Sequence, residues 1–153
     1  MMDTVSVKVE CADGADFAAI RALLDREGLP HADLGSGPGA GFWVIRDSGR
    51  VIGAIGLETY GRSGLLRSLV VAPDARGTGL GRHLVESVED AARSRGLERL
   101  VLLTQTAERF FAGRGYAVID RATAPDEVRA SAEFRNLCPA SATCMSKPVG
   151  AGS

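Results

Sequence analysis

Cysteine is scarce in this chain: three residues in 153, Cys11, Cys138 and Cys144, an odd count without a Cys-x-x-Cys pair. Neither a disulfide framework nor a zinc site is suggested, and reduced thiols are the expectation. The two histidines, His31 and His83, have no second ligand or nucleophile at useful spacing, so no metal is expected and both read as surface or structural residues. No apolar run reaches the length of a membrane span, and Met1-Met2-Asp3-Thr4 lacks the basic flank and apolar stretch of a secretory signal. A cytosolic protein is expected. There is no excess of positive charge either, since the formal net charge is -1. Phosphate-backbone binding needs clustered Lys and Arg, so neither nucleic acid nor an anionic membrane is expected as a partner. The chain shows no internal repeat and no dividing linker. One domain over 1–148 is expected, followed by a frayed tail over 149–153.

What is present is concentrated in Val70-Val71-Ala72-Pro73-Asp74-Ala75-Arg76-Gly77-Thr78-Gly79-Leu80-Gly81. An apolar strand runs into a glycine-rich turn and then directly into an amphipathic helix, an arrangement suited to a pyrophosphate. The glycines let the main chain approach an anion, and the helix they open supplies unpaired N–H groups and the positive end of a macrodipole. Leu80, Leu84, Val85, Val88, Ala91 and Ala92 share one face of that helix, charged residues take the other, and Gly96 reads as its stop. A Walker loop would end Gly-Lys-Ser/Thr, but this one ends Gly81-Arg82-His83. A dinucleotide fingerprint would be spaced Gly-x-Gly-x-x-Gly near the first strand. The run here is Gly77-x-Gly79-x-Gly81 and lies mid-chain.

Periodicity sketches the rest. A strand over Val5 to Val9 precedes a helix from about Ala15 to Glu27, with Asp13 or Asp16 near its start and Gly28-Leu29-Pro30 at its end. His31 to Ala40 has the composition of a loop and is a candidate substrate wall. Phe42 to Asp47 and Val51 to Thr59 read as a hairpin across Ser48-Gly49, with a further strand, Leu65 to Val71, after a turn at Gly61-Arg62-Ser63-Gly64. After the glycine-opened helix come a strand over Leu100 to Leu103, a short helix from about Thr106 to Ala112, a strand over Tyr116 to Asp120, a helix over Pro125 to Ala130 and a last strand over Ala142 to Lys147. Hairpins in the first half and alternation in the second imply an α/β (α+β) fold with a mixed sheet and helices on both faces.

The run Arg76-Gly77-Thr78-Gly79-Leu80-Gly81 resembles the acyl-CoA loop of the GNAT superfamily of N-acetyltransferases, written Arg/Gln-x-x-Gly-x-Gly/Ala. The strands Leu65 to Val71 and Leu100 to Leu103, and the segment Ala107-Glu108-Arg109-Phe110-Phe111-Ala112-Gly113-Arg114-Gly115-Tyr116, sit where that family has its counterparts. Within the superfamily, Leu65-Leu66-Arg67-Ser68-Leu69-Val70-Val71 and the tail from Ala132 to Ser141 resemble the acetyltransferases named for arsenic resistance. The resemblance implies a single domain whose mostly antiparallel sheet of about six or seven strands splays between the fourth and fifth. Acetyl-CoA is the implied cosubstrate. Its pantetheine arm would pair with the main chain at Leu69, Val70 and Val71, as one amide-bearing strand adds to another. Its pyrophosphate would rest on the N–H groups from Gly77 through Thr78, Gly79, Leu80 and Gly81 to Arg82, with the Arg76 and Arg82 side chains assisting. Thr104 stands where the family often has Asn, and Phe111 where it often has the Tyr proposed to protonate the leaving thiolate; both count among the expected coenzyme contacts.

Chemistry is less determined. Leu65 occupies the place where some relatives carry a catalytic Glu, which leaves Glu58 as the candidate base or, alternatively, an exposed carboxylate at a strand end. The main-chain N–H of Val71 is a candidate to polarise the thioester carbonyl. Phe111 donates no proton, Tyr116 reads as core, and water, Tyr60 or Ser68 remain as donors. Arg67 lies on the alternating set of Leu69 and Val71, so it is expected to point toward the cleft and hold a substrate carboxylate, phosphinate or arsonate, unless it pairs internally with Glu58 or Glu133. Glu133, Phe134, Arg135 and Asn136 are further candidates to line the cleft. The resulting expectation is direct acetyl transfer to the amine of a small, acidic, amino-acid-like compound by a monomer or homodimer. Its competitors are a non-catalytic acyl-CoA sensor and a metalloid-binding protein using Cys138, Cys144 and a third thiol.

Overall fold

Short turns dictate how the sheet begins. Ser48 and Gly49, with φ of 53° and 80°, join strands β2 (Gly41–Asp47) and β3 (Arg50–Tyr60), the left-handed pair of positions that matches hairpin twist. The next reversal is tighter than the expected four-residue turn. Ser63 pairs with Tyr60, so only Gly61 and Arg62 lie outside β3 and β4 (Ser63–Val71). A computed structural model describes residues 8–29, 40–131, 134 and 141–150. Strand β1 (Val9–Cys11) therefore overlaps the expected first strand at Val9 and begins just after Lys8; residues 5–7 of that expected strand and 31–39 of the expected loop lie outside the described residues.

Helix α1 (Phe17–Arg26) is entered through a single turn of 3-10 helix, Gly14–Asp16. There the Asp13 carboxylate accepts from Ala15 N–H and the Asp16 carboxylate accepts from Asp13 N–H at 2.8 Å, a reciprocal cap. Helix α2 (Leu80–Ser94) follows the glycine-rich turn. Its end is closed by Gly96 N–H to Arg93 O and Leu97 N–H to Ala92 O, both 3.0 Å, with Gly96 at φ 78°, the bond pair that satisfies terminal helix carbonyls. The remaining elements are β5 (Arg99–Thr104), α3 (Glu108–Ala112), β6 (Ala117–Val118), α4 (Asp126–Arg129) and β7 (Thr143–Pro148). Strand β6 is shorter than expected because Tyr116 lies ahead of it, buried, and Asp120 caps the turn after it by accepting from Ala122 N–H.

The seven strands form one sheet in the order β1-β2-β3-β4-β5-β7-β6, antiparallel except where β4 meets β5. Helices α1 and α2 cover opposite faces. A Cβ on Gly53 would lie 3.2 Å from Leu84 of α2, whereas one on Gly56 would lie 2.7 Å from Phe42, which packs edge-on against Phe17 of α1. A second, smaller apolar cluster joins Leu65 and Val101 to Val128 of α4 and Phe134. Past β7 the chain stays bound: Val149 is 1% exposed and its N–H donates to Glu98 O at 2.9 Å. That places Val149 in the core rather than in the expected tail, of which 151–153 lie outside the described residues. No described helix is long and apolar enough to cross a membrane.

Candidate active site

Strands β4 and β5 pair only from Ser63 to Leu65, opposite Arg99 to Val101, and then separate. The cause is in β4. Between Ala54–Val70 and Gly56–Arg67 the ladder gains one residue, and Ser68 takes φ 60°; such a bulge sharpens strand twist and bends the strand away from its neighbour. The extra residue also changes which side chains share a face. Arg67 falls with Val70, not with Leu69 and Val71 as strict alternation predicts, because Gly56 and Ala54, their partners, lie two apart.

The bulge sets the use of the main chain beyond it. Ala72 N–H donates to Ile52 O at 2.8 Å, so the neighbouring Val71–Gly53 pair is the kind whose amide groups face outward. The N–H and C=O of Val71 thus point into the gap that β5 has left. Val70 is different: its amide groups face β3 and its side chain is 4% exposed in the core, which removes it from the expected coenzyme contacts. Leu69 is half-buried at the cleft end of β4.

Below the gap, the turn is held by a Thr78 hydroxyl that donates to Ala75 O at 2.6 Å, with Gly77 and Gly79 both at φ 82°. Helix geometry leaves the N–H groups of Leu80, Gly81 and Arg82 without intrahelical partners, and no side chain caps Gly79. These residues border a cleft of about 380 Å3 with Val71, Arg76, Gly77, Phe110 and Arg114. A positively polarised helix end at the floor of a concave surface suits a diphosphate. Arg76 is already engaged: its Nε–H donates to Val71 O at 3.2 Å and its guanidinium pairs with Glu27 at the end of α1.

One expected contact lies elsewhere. Phe111 is 4% exposed and packs edge-on between Phe110 and Tyr116, so Phe110, not Phe111, faces the cleft. Thr104 accepts from Ala107 N–H at 2.9 Å, steadying the approach to α3. Phe110, Arg114 and Glu27 were not identified from the sequence. Their roles depend on α3 and α1 packing beside the turn, and the one sequence signal was Phe110 preceding Phe111 on a short helix.

Glu58, Arg67 and Ser68 come together. Arg67 Nη1 lies 3.0 Å from Glu58 Oε2, the Tyr60 hydroxyl donates to Glu58 Oε1 at 2.5 Å, and Arg67 Nε lies 3.2 Å from Ser68 Oγ. The Arg67 and Glu58 side chains are 1% and 4% exposed, so Glu58 is a buried carboxylate and not an exposed one at a strand end. Arg67 meets its counter-anion inside the protein.

Tyr116 is a core residue, as its position suggested: its hydroxyl donates to Glu89 Oε2 at 2.9 Å. Burial first, and then the Glu89 carboxylate, push its pKa above the usual phenol range. Cys11 is exposed on β1, whereas Cys144 is buried on β7 with its thiol pKa raised by burial. Cys138, Glu133, Arg135, Asn136 and His31 lie outside the described residues, and His83 sits in the first turn of α2. Among the described residues no three His, Cys, Asp or Glu side chains cluster as metal ligands.

Comparison with known proteins agrees with this geometry. The model of the acetyltransferase (GNAT) family matches residues 14–116. The amino-acid acetyltransferase of Ralstonia nicotianae is 38% identical over 107 residues, 69% of this chain and 21% of that protein. The IAA acetyltransferase of Azospirillum brasilense is 45% identical over 84 residues, 54% of this chain and 51% of that one. The chain thus spans at most about half the length of either relative. N-acetylglutamate synthase from Neisseria gonorrhoeae, solved with coenzyme A and N-acetyl-glutamate, superposes with a TM-score of 0.80 at 23% identity, covering 96% of this chain and 36% of that one.

Proposed function

Because the chain belongs to the acetyltransferase (GNAT) family, we propose that it transfers the acetyl group of acetyl-CoA to the amine of a small, acidic, amino-acid-like compound in the cytosol. The observation that carries this reading is the parting of β4 from β5 after Leu65, directly above the uncapped start of α2. A coenzyme with an amide-bearing arm and a diphosphate needs those two features side by side. The arm would pair with Leu69 and Val71, and the diphosphate would take the α2 N–H groups together with Arg76 and Arg82.

In the proposed reaction the neutral amine attacks the thioester carbon, the C–S bond breaks, and the coenzyme leaves as a thiolate that water protonates. The Val71 N–H polarises the carbonyl. Glu58, joined to Tyr60 and Arg67, accepts the amine proton through water, and Arg67 orients both Glu58 and Ser68. Since Arg67 has an internal counter-anion, support for an amino-acid acceptor comes from the relatives named amino-acid acetyltransferase. Arsenical analogues of amino acids fall in the same chemical class.

Titration calorimetry with acetyl-CoA and a thiol-release assay over amino acids, acidic amines and an organoarsenical amine test the reading. An enzyme binds the coenzyme and releases thiol with at least one acceptor. The second reading, an acyl-CoA sensor, is favoured by the two Glu58 oxygens both being bonded and by the burial of Phe111 in place of an acid. Coenzyme binding without thiol release from any acceptor would establish it instead.

A further inference from the structure

The cleft at the start of α2 does not end at the diphosphate turn. A second hollow of about 420 Å3 runs along α2, walled by Arg82, Glu86, Glu89, Arg114, Gly115 and Lys147. Arg82 and Arg114 border both hollows. The charges of this second wall are not equivalent. Lys147 Nζ lies 3.0 Å from Glu89 Oε2, which also accepts from Tyr116, so that acid and that base cancel within the protein. Arg82 and Arg114 form no ion pair among the described residues, and Glu86, one turn along α2 from Arg82, pairs with neither. The contrast with Arg76, committed to Glu27, is plain.

Arg114 is also held in place. Lys147 donates to its carbonyl at 2.9 Å, its own N–H donates to Phe111 O at 2.9 Å, and its guanidinium lies 5.6 Å from the centroid of the Phe110 ring. A cation anchored at the backbone and stacked at its tip loses little freedom when it meets an anion. The diphosphate has the helix N–H groups and Arg82, so the Arg114 guanidinium, without a counter-ion on the path away from it, implies a further anionic group on the same ligand.

Resting on the reading that the turn binds coenzyme A, we propose that Arg114 holds the phosphate monoester on the coenzyme's ribose. The site then selects coenzyme A over dephospho-coenzyme A, which lacks that group. A phosphomonoester is close to doubly charged near neutrality and takes the planar guanidinium fork in paired hydrogen bonds.

The test compares coenzyme A with dephospho-coenzyme A by calorimetry, for the wild-type protein and for Arg114→Gln. The wild type is expected to bind coenzyme A about tenfold more tightly, the effect of one charge-assisted contact. Arg114→Gln should lose most of that preference while its Kd for dephospho-coenzyme A stays within about twofold. Equal affinities in the wild type, or a loss in Arg114→Gln shared by both ligands, would overturn the proposal and leave the coenzyme reading intact. If the wild type bound neither, the proposed function would fail, and this inference with it.

Discussion

Arg67 and Glu58 form a buried ion pair across β4 and β3, Nη1 to Oε2 3.0 Å, with both side chains almost fully enclosed. Removing one partner leaves the other charged and desolvated. Arg67→Met should therefore lower stability by about 3–5 kcal/mol, and Arg67→Met combined with Glu58→Gln should recover most of it, because Gln still accepts from Tyr60. Urea denaturation of the two variants checks this. Equal loss in both would mean the pair is not what holds the site.

Arg76 bridges Glu27 and the carbonyl of Val71, so the coenzyme must draw it away from partners it already has. Glu27→Gln should tighten acetyl-CoA binding by about two- to threefold, while Arg76→Ala should weaken it by about tenfold. The dependence of Kd on salt should be shallower in Arg76→Ala. Calorimetry at two ionic strengths measures both.

Gly64 sits within the three residue pairs that keep β4 and β5 together. A Cβ there would lie 2.7 Å from Leu100 Cδ2 and 2.8 Å from Leu57 Cδ1. Gly64→Ala is expected to cost about 1–3 kcal/mol by overpacking. The same denaturation experiment, run on this variant, reads the loss.

The Asp16 carboxyl is held below the usual carboxylate range, first by the Asp13 N–H and then by Arg46, against the opposing effect of burial. Its folded pKa is lowered, so its contribution is present above the unfolded value of about 3.9 and is lost as pH falls through the folded one. Thermal denaturation from pH 6 downward should show the wild type losing stability below about pH 4. Asp16→Asn, which does not titrate, should show a shallower decline over that window.

Much of the fold was legible because its signals are local. The αL positions of the Ser48-Gly49 turn, the Asp13 cap and the Gly96 stop each depend on a residue and its near neighbours. The glycine-rich turn was legible for the same reason. The face of Arg67 was misread because alternation assumes one residue per rung, and the bulge at Ser68 places two opposite one. Phe111 was misread as a contact because neighbouring aromatic residues on a short helix are told apart only by what packs on each side.

By itself the sequence determined the elements, the helix opening that offers its N–H groups to an anion, and the family to which the chain belongs. These follow from short-range sterics and hydrogen bonding, which a few adjacent residues dictate. Only the tertiary structure decided that Glu58 neutralises Arg67, that Val71 turns its amide groups outward while Val70 does not, and that Arg82 and Arg114 line one continuous wall. Each of these depends on strand register and on the seating of a helix against the sheet, where residues far apart in the chain meet through packing.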